Sequence, residues 1–191
     1  MERKAGKSKG QETSTGAQSR FLPSVPDLDY TLKIVRNWIK ECESHQELCA
    51  VAADIKLPTR ILDLGSTDSS KVKLLTFTSG LKGPYICLSY CWGKSQNLPS
   101  REPLQTNESN CSTWTEGIPW SLFPRTFQDA IAFTRGLGLR YLWIDALCIM
   151  QGNSADWIRE SARMASIYSN SYLTIAATAG PNPEHGLFFP R

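Results

Sequence analysis

The clearest hydrophobic pattern in the chain is a run of four large apolar residues, Tyr141 to Ile144, followed by the acid Asp145. An unbroken apolar run that opens shortly after a glycine, here Gly138, is typical of a strand buried on both faces in a parallel sheet. The pattern therefore predicts a central strand at 141–144 with a carboxylate at its carboxyl end.

Helical patterns lie on both sides of this strand. The first runs from Thr126 to a stop at Gly136 and Gly138, and Thr126 and Asp129 have the spacing of a capping box. The second covers residues 153–169. Its predicted inward stripe consists of Trp157, Ser161, Met164, Ile167 and Tyr168.

Two more segments, 84–90 and 172–178, have the composition of strands. The resulting order of strand, helix, strand, helix, strand predicts a parallel sheet flanked by helices, because such crossovers are right-handed. Ligands enter α/β sheets at the carboxyl ends of the strands. We therefore expect residues 89–93, 145–151 and 178–180 to meet at a functional edge.

The amino-terminal part of the chain shows weaker patterns. Apolar spacing predicts a helix from Asp29 to about Cys49, and short runs at 61–64 and 72–78 predict a β-hairpin that precedes the α/β unit. Residues 94–118 are polar and predict a long loop.

The net charge of +3 is concentrated in the first 20 residues, which hold five basic and two acidic residues. The remaining chain is neutral, which argues against a nucleic-acid binder. No run of 18 apolar residues and no signal-peptide pattern is present, so no membrane span is predicted. The six cysteines are therefore interpreted as thiols of a cytoplasmic protein, with a nuclear location left open.

Three regions are predicted from these patterns. Residues 1–22 form a disordered basic tail, either a solvated segment or a weak nuclear address. Residues 23–83 contain the amino-terminal helix and short strands, and residues 84–191 form the main α/β core.

Three residues of metal-binding types, Cys42, His45 and Cys49, share one face of the predicted first helix. Two thiolates and an imidazole would bind zinc if a fourth ligand came from elsewhere. The alternative is a set of partly buried small residues at a helix end. Zinc is not expected on this pattern alone.

Two enzyme classes find no support in the sequence. Gly136 and Gly138 end a helix where a dinucleotide-binding fingerprint would begin one, which argues against a Rossmann-type oxidoreductase. His45 and His185 are the only histidines, and neither accompanies a nucleophile motif of a cysteine or serine hydrolase.

Several short blocks together resemble the HET (heterokaryon incompatibility) domain of filamentous fungi. The blocks are Tyr85-x-x-Leu88-Ser89-Tyr90-x-Trp92-Gly93, Ile118-Pro119 with Thr126-x-x-Asp129-Ala130, Leu142-Trp143-Ile144-Asp145-x-x-Cys148-Ile149-x-Gln151, and Asp156-Trp157-x-x-Glu160-x-x-x-Met164-x-x-Ile167-Tyr168. Leu57-Pro58-Thr59-Arg60 and the Trp38 to Cys49 segment are similar to what often precedes that domain.

The resemblance implies a role in non-self recognition and programmed cell death. It also implies a distant relation to TIR domains, hence a TIR- or flavodoxin-like parallel sheet with an added amino-terminal helix and hairpin. Some TIR relatives cleave NAD by means of a glutamate, so NAD is a candidate substrate. Proteins of this family usually continue past the block that ends at Arg191, so the core at 84–191 is expected to be truncated.

Glu160 is the candidate catalytic residue under this resemblance. A poorly solvated carboxylate near the reacting carbon would stabilise the positive charge that develops on the ribose. The alternative is a boundary glutamate that pairs with Arg163 three residues later.

Asp145 is the better-placed acid, because a carboxylate at the end of a buried strand needs hydrogen bonds or a function. It would hold a ribose hydroxyl or cap the following turn. Tyr90 and Trp92 would stack on a planar ligand or pack in the core. The predicted ligand-binding set is Tyr90, Trp92, Gly93, Asp145, Cys148 and Gln151.

Two functions follow from these patterns. In the first the domain is an NAD-cleaving enzyme of a cell-death pathway. In the second it is a non-enzymatic module that self-associates or binds a protein partner.

Overall fold

The central strand predicted at 141–144 is confirmed in the computed structural model, which describes residues 26–44, 54–66, 71–93 and 104–189. The helices are α1 Leu28–Ser44, α2 Cys111–Glu116, α3 Arg125–Gly136, α4 Asp145–Cys148, α5 Ser154–Ser161 and α6 Met164–Ser169. The strands are β1 Ile61–Asp63, β2 Lys73–Leu75, β3 Tyr85–Tyr90, β4 Tyr141–Ile144 and β5 Leu173–Ala177.

These strands form one five-stranded sheet in the order β2-β1-β4-β3-β5. Strand β3 is parallel to both β4 and β5, with Ile86 opposite Leu142 on one side and opposite Leu173 on the other. The parallel βαβαβ unit is therefore confirmed. The predicted hairpin of β1 and β2 is also present, and β1 joins the same sheet by antiparallel pairing with β4. The sheet is mixed, and the fold is of the α/β class.

The two faces of β3 pack against different helices because side chains alternate along a strand. Tyr85 donates a hydrogen bond from its hydroxyl to the Ile167 carbonyl of α6 at 2.6 Å. The Tyr90 ring meets Phe127 of α3 edge-on, with 5.0 Å between centroids. Helices α6 and α3 thus cover opposite faces of the parallel strands.

Helices α1 and α3 approach each other closely at Gly136. A Cβ atom at this position would collide with the Leu32 side chain of α1. The glycine that the sequence marks as a helix stop therefore also lets the amino-terminal helix pack on the core, where Leu32 and Val35 are buried.

The predicted capping box is wrong. Helix α3 begins at Arg125 with Pro124 as its N-cap, and no side chain caps it. Thr126 and Asp129 are buried and instead accept hydrogen bonds from the backbone of a distant segment, Gly186 N–H at 3.0 Å and Leu187 N–H at 2.8 Å. Gly186 has φ +86, and a Cβ there would lie 2.9 Å from the Asp129 carboxylate, so glycine suits this contact.

The single helix predicted over 153–169 is divided into α5 and α6. The last turn of α5 tightens, since the Arg163 N–H bonds to the Glu160 carbonyl three residues back. The predicted inward stripe is also wrong for Trp157, which is 56% exposed, whereas Asp156 and Glu160 are buried. Helix α5 turns its carboxylates, not its large apolar residues, toward the protein.

The long loop predicted at 94–118 contains helix α2 in the part that the structure describes. Its Trp114 is buried, and its indole donates a hydrogen bond to the Gln105 carbonyl at 3.4 Å. The polar composition concealed this short helix. Among the described helices, none has the length and hydropathy needed to cross a membrane.

Replacing Asp129 by alanine is expected to lower the free energy of unfolding by about 1–3 kcal/mol, because the part-buried Leu187 N–H loses its acceptor. Arg125→Ala is the matched control. It removes the exposed partner of Asp129 and is expected to cost less than about 1 kcal/mol. Chemical denaturation measures both values, and equal losses in the two variants would contradict this account.

Candidate functional site

The carboxyl edge of the parallel strands carries a cluster of three side chains. Strand β3 ends at Tyr90, with Trp92 and Gly93 just beyond it, and strand β4 leads directly into Asp145, the first residue of α4. The parallel register places Leu88 opposite Ile144, so the two strand ends lie side by side. The structure therefore brings together Tyr90, Trp92 and Asp145, as the sequence predicts.

Asp145 is held by donors on both carboxylate oxygens. The Trp92 indole donates to Oδ2 at 2.8 Å, and the Ala146 N–H donates to Oδ1 at 2.7 Å. Burial raises the pKa of this carboxyl group, while the bonds from Trp92, Ala146 and Tyr90 act in the opposite direction. The result is a partly buried acid whose hydrogen bonds favour the ionised form.

The aromatic residues beside Asp145 form a stack that reaches the surface. Tyr90 and Trp92 are nearly parallel, with centroids 6.3 Å apart and 13° between their planes. Trp92 is 39% exposed, while Tyr90 also packs on Phe127 of the core. Burial, together with the Asp145 charge, raises the pKa of the Tyr90 phenol, which therefore stays protonated and able to donate. Gly93 follows with φ +83.

Cys148 and Gln151 follow Asp145 along the chain, at the end of α4 and in the turn after it. Cys148 is buried, which raises the pKa of its thiol to about 12 and keeps it protonated at neutral pH. The Gln151 side-chain amide donates to the Ile149 carbonyl at 3.1 Å, and its backbone N–H donates to the Thr106 carbonyl at 2.7 Å. Both residues hold the turn after β4, and their predicted ligand contacts stay predictions.

A buried arginine, Arg60, joins this turn to helix α5. Its Nε atom donates to the Cys148 carbonyl at 2.7 Å, and its Nη2 atom pairs with the Asp156 carboxylate. The same carboxylate accepts the Met150 N–H at 2.8 Å and a second ion pair from Arg159. Arg60 and Asp156 are 7% and 5% exposed, so their charges compensate each other away from water.

Glu160 belongs to the same buried charge cluster. It is 1% exposed, and its Oε1 atom lies 3.2 Å from Arg159 Nε and 3.9 Å from Arg163 Nη1. Arg163 also donates to the Thr59 hydroxyl at 2.6 Å. Glu160 thus pairs most closely with Arg159 of its own helix and less closely with Arg163, the partner expected from the sequence, and it is buried rather than at a boundary. Its catalytic role stays a prediction.

Arg60 and Asp156 are not among the site residues predicted from the sequence. The available signal was that both lie in the blocks that carry the family resemblance, Leu57 to Arg60 and Asp156 to Tyr168. Their pairing spans 96 positions of the chain, a separation that local patterns do not reveal.

The predicted metal ligands are described only in part. Cys42 lies on α1, whereas His45 and Cys49 fall outside the described residues. Cys42 is disulfide-bonded, so the interpretation of all six cysteines as thiols is wrong for this one, because spacing does not distinguish the two states. No three His, Cys, Asp or Glu side chains in the described ranges are grouped to hold a metal ion.

Residues 85–191, which begin with β3 and include the Asp145 cluster, match the family model described as Heterokaryon incompatibility protein (HET). The match covers more than half of the 191-residue chain, and the chain belongs to this family. No curated protein and no solved structure matches it at a significant level. The distant likeness to TIR domains stays a prediction.

Proposed function

We propose that this member of the heterokaryon incompatibility family acts in fungal non-self recognition and programmed cell death by cleaving NAD at the edge of its sheet. The proposed NAD cleavage rests on one observation, the Asp145 carboxylate at the end of a parallel strand. It accepts a hydrogen bond from the indole of Trp92, which is partly exposed. Family membership supports the biological role.

The reaction breaks the bond between C1′ of the ribose and the nicotinamide nitrogen. The bonding electrons leave with nicotinamide, which departs as a neutral molecule, and positive charge develops on the ribose. An ionised Asp145 near C1′ stabilises this charge electrostatically. Water then adds to C1′ and releases a proton, which gives ADP-ribose.

The aromatic stack would orient the substrate. Trp92 offers an exposed ring face for the flat nicotinamide, and its indole nitrogen is already bound to Asp145. The ring would therefore lie close to the acid that acts on the adjoining bond. Tyr90, which stacks on Trp92, would have a positioning role.

Asp145 is assigned as the reacting carboxylate in preference to Glu160. The Glu160 side chain is buried against Arg159, and an ion pair of this kind neutralises the charge that the reaction requires. Asp145 has no described cation as a bonding partner. Its donors are an indole and a backbone amide, which leave its negative charge in place.

The full chain at high protein concentration is expected to convert NAD to nicotinamide and ADP-ribose, as measured by chromatography of the products. Asp145→Asn is expected to reduce turnover by about a hundredfold or more, because the carboxylate charge is lost. Glu160→Gln is the comparison variant and is expected to keep turnover while losing about 1–3 kcal/mol of stability.

Full activity in a folded Asp145→Asn protein would contradict the assignment. Loss of turnover in Glu160→Gln with an unchanged unfolding transition would give the catalytic role to Glu160 instead. No turnover in the unmodified chain would count against NAD cleavage and favour the second candidate function.

That second candidate is a non-enzymatic module that self-associates, and the outer strand of the sheet favours it. Strand β5 pairs with β3 on one side, and no other described strand pairs with its second edge. An apolar groove of about 530 Å³ follows this strand along α1 and includes Trp38, which is 50% exposed. A second copy would bind here by pairing β5 with its own symmetry mate.

Sedimentation velocity over a range of concentrations tests this surface. The unmodified chain is expected to dimerise, and Trp38→Lys to shift it to monomer because a charge enters the groove. Trp157→Lys is the matched control, since Trp157 is similarly exposed but lies on α5. A chain that stays monomeric throughout, or an equal effect of both variants, would contradict self-association through β5.

A further inference from the structure

A second cavity, of about 550 Å³, lies beside the β1–β2 hairpin, next to the residues that lead into β1 and those that follow β2. It forms between residues 56–59 and the turn 76–82, which are connected by the hydrogen bond from the Thr78 hydroxyl to the Pro58 carbonyl at 2.6 Å. Arg163, at the junction of α5 and α6, forms the remaining wall. None of these residues belongs to the Asp145 cluster.

The described residues that line this cavity include three cations, Lys56, Lys82 and Arg163, and no acid. Lys56 and Lys82 are directly opposite each other in an antiparallel bridge, which places their side chains on the same side of the chain. Like charges in this arrangement repel each other. The cavity lining therefore carries a local excess of positive charge, although residues 21–191 as a whole are neutral.

Nearby acids offset only part of this charge. Asp54 pairs with Lys82. The hydrogen bond from Lys82, together with the charges of Lys82 and Lys56, lowers the pKa of the Asp54 carboxyl group. Glu160 is 3.9 Å from Arg163 but closer to Arg159. Lys56 has no ion pair within the described part of the chain. An anion bound between Lys56, Lys82 and Arg163 would relieve the remaining repulsion.

The cavity also has an apolar side. Phe77 is 80% exposed and Leu81 is 43% exposed, both on the turn that borders the cations. A phenyl ring this exposed on a surface turn offers a face on which a flat ring can stack. Thr59, Thr76 and Ser79 also line the cavity and carry hydroxyl groups that suit a polar ligand.

We propose that this cavity binds a nucleoside diphosphate or a ligand of the same chemistry. The phosphates lie between Lys56, Lys82 and Arg163, and the base stacks on Phe77. The volume falls within the range of about 300–1,000 Å³ typical of small-molecule sites. The residues that line this cavity differ from those of the proposed NAD-cleaving site, and binding here does not depend on that activity.

Calorimetric titration of the full chain tests this proposal with three probes, ADP, pyrophosphate and adenosine. ADP is expected to bind most tightly, pyrophosphate about tenfold more weakly, and adenosine without measurable heat, since the cations supply most of the affinity. Phe77→Ala is expected to weaken ADP several-fold and to leave pyrophosphate unchanged.

Charge-reversal variants locate the site. Lys56→Glu is expected to weaken ADP binding by at least about tenfold. Lys33→Glu, on the exposed face of α1, makes the same change in net charge elsewhere and is expected to leave binding unchanged. Both positions are exposed, and superimposable thermal transitions would confirm that each variant is folded.

Three results would overturn the proposal. They are the absence of ADP binding at millimolar concentration, an equal loss in Lys33→Glu and Lys56→Glu, and a loss in Asp145→Asn without a loss in Lys56→Glu. The last result would place the nucleotide at the strand-end site. Retention of ADP binding in Asp145→Asn supports the proposal whether or not the chain turns over NAD.

Discussion

The carboxyl edge of the sheet depends on one buried ionic interaction, the bond of Arg60 to Asp156. Arg60 comes just before β1, Asp156 lies on α5, and the arginine also holds the Cys148 carbonyl at the end of α4. Taking two such charges out of water costs several kcal/mol, which only close pairing and further hydrogen bonds offset. The interaction thus connects the hairpin, the turn after β4 and α5 at one point.

This constraint separates the acids of the edge into two kinds. Asp156 and Glu160 are buried and pair with arginines. Asp145 lies at the start of α4, where its hydrogen-bond donors are the Trp92 indole and the Ala146 backbone N–H. Its hydrogen bonds, rather than its position in the sequence, make it the candidate for chemistry. The family match includes all three acids.

Local patterns predicted the elements whose burial is continuous along the chain. The apolar run at 141–144 and the order of strands and helices were sufficient for the parallel core, and the acid after β4 followed from it. Local patterns failed where the orientation of a side chain depends on a partner that is far away in the sequence. Asp156 of α5 points inward because Arg60, far away in sequence, neutralises it, and Asp129 binds a distant segment rather than its own helix start. Helical periodicity contains no information on such partners.

Arg60 and Asp156 act as one structural unit. A double-mutant cycle with Arg60→Met, Asp156→Leu and the combined variant tests it by chemical denaturation. Asp156→Leu leaves the buried Arg60 charge without its acid and is predicted to cost about 3–5 kcal/mol, whereas Arg60→Met is predicted to cost less because Arg159 still pairs with Asp156. The double variant is predicted to recover part of the loss. Single effects that simply add, within about 0.5 kcal/mol, would contradict the account.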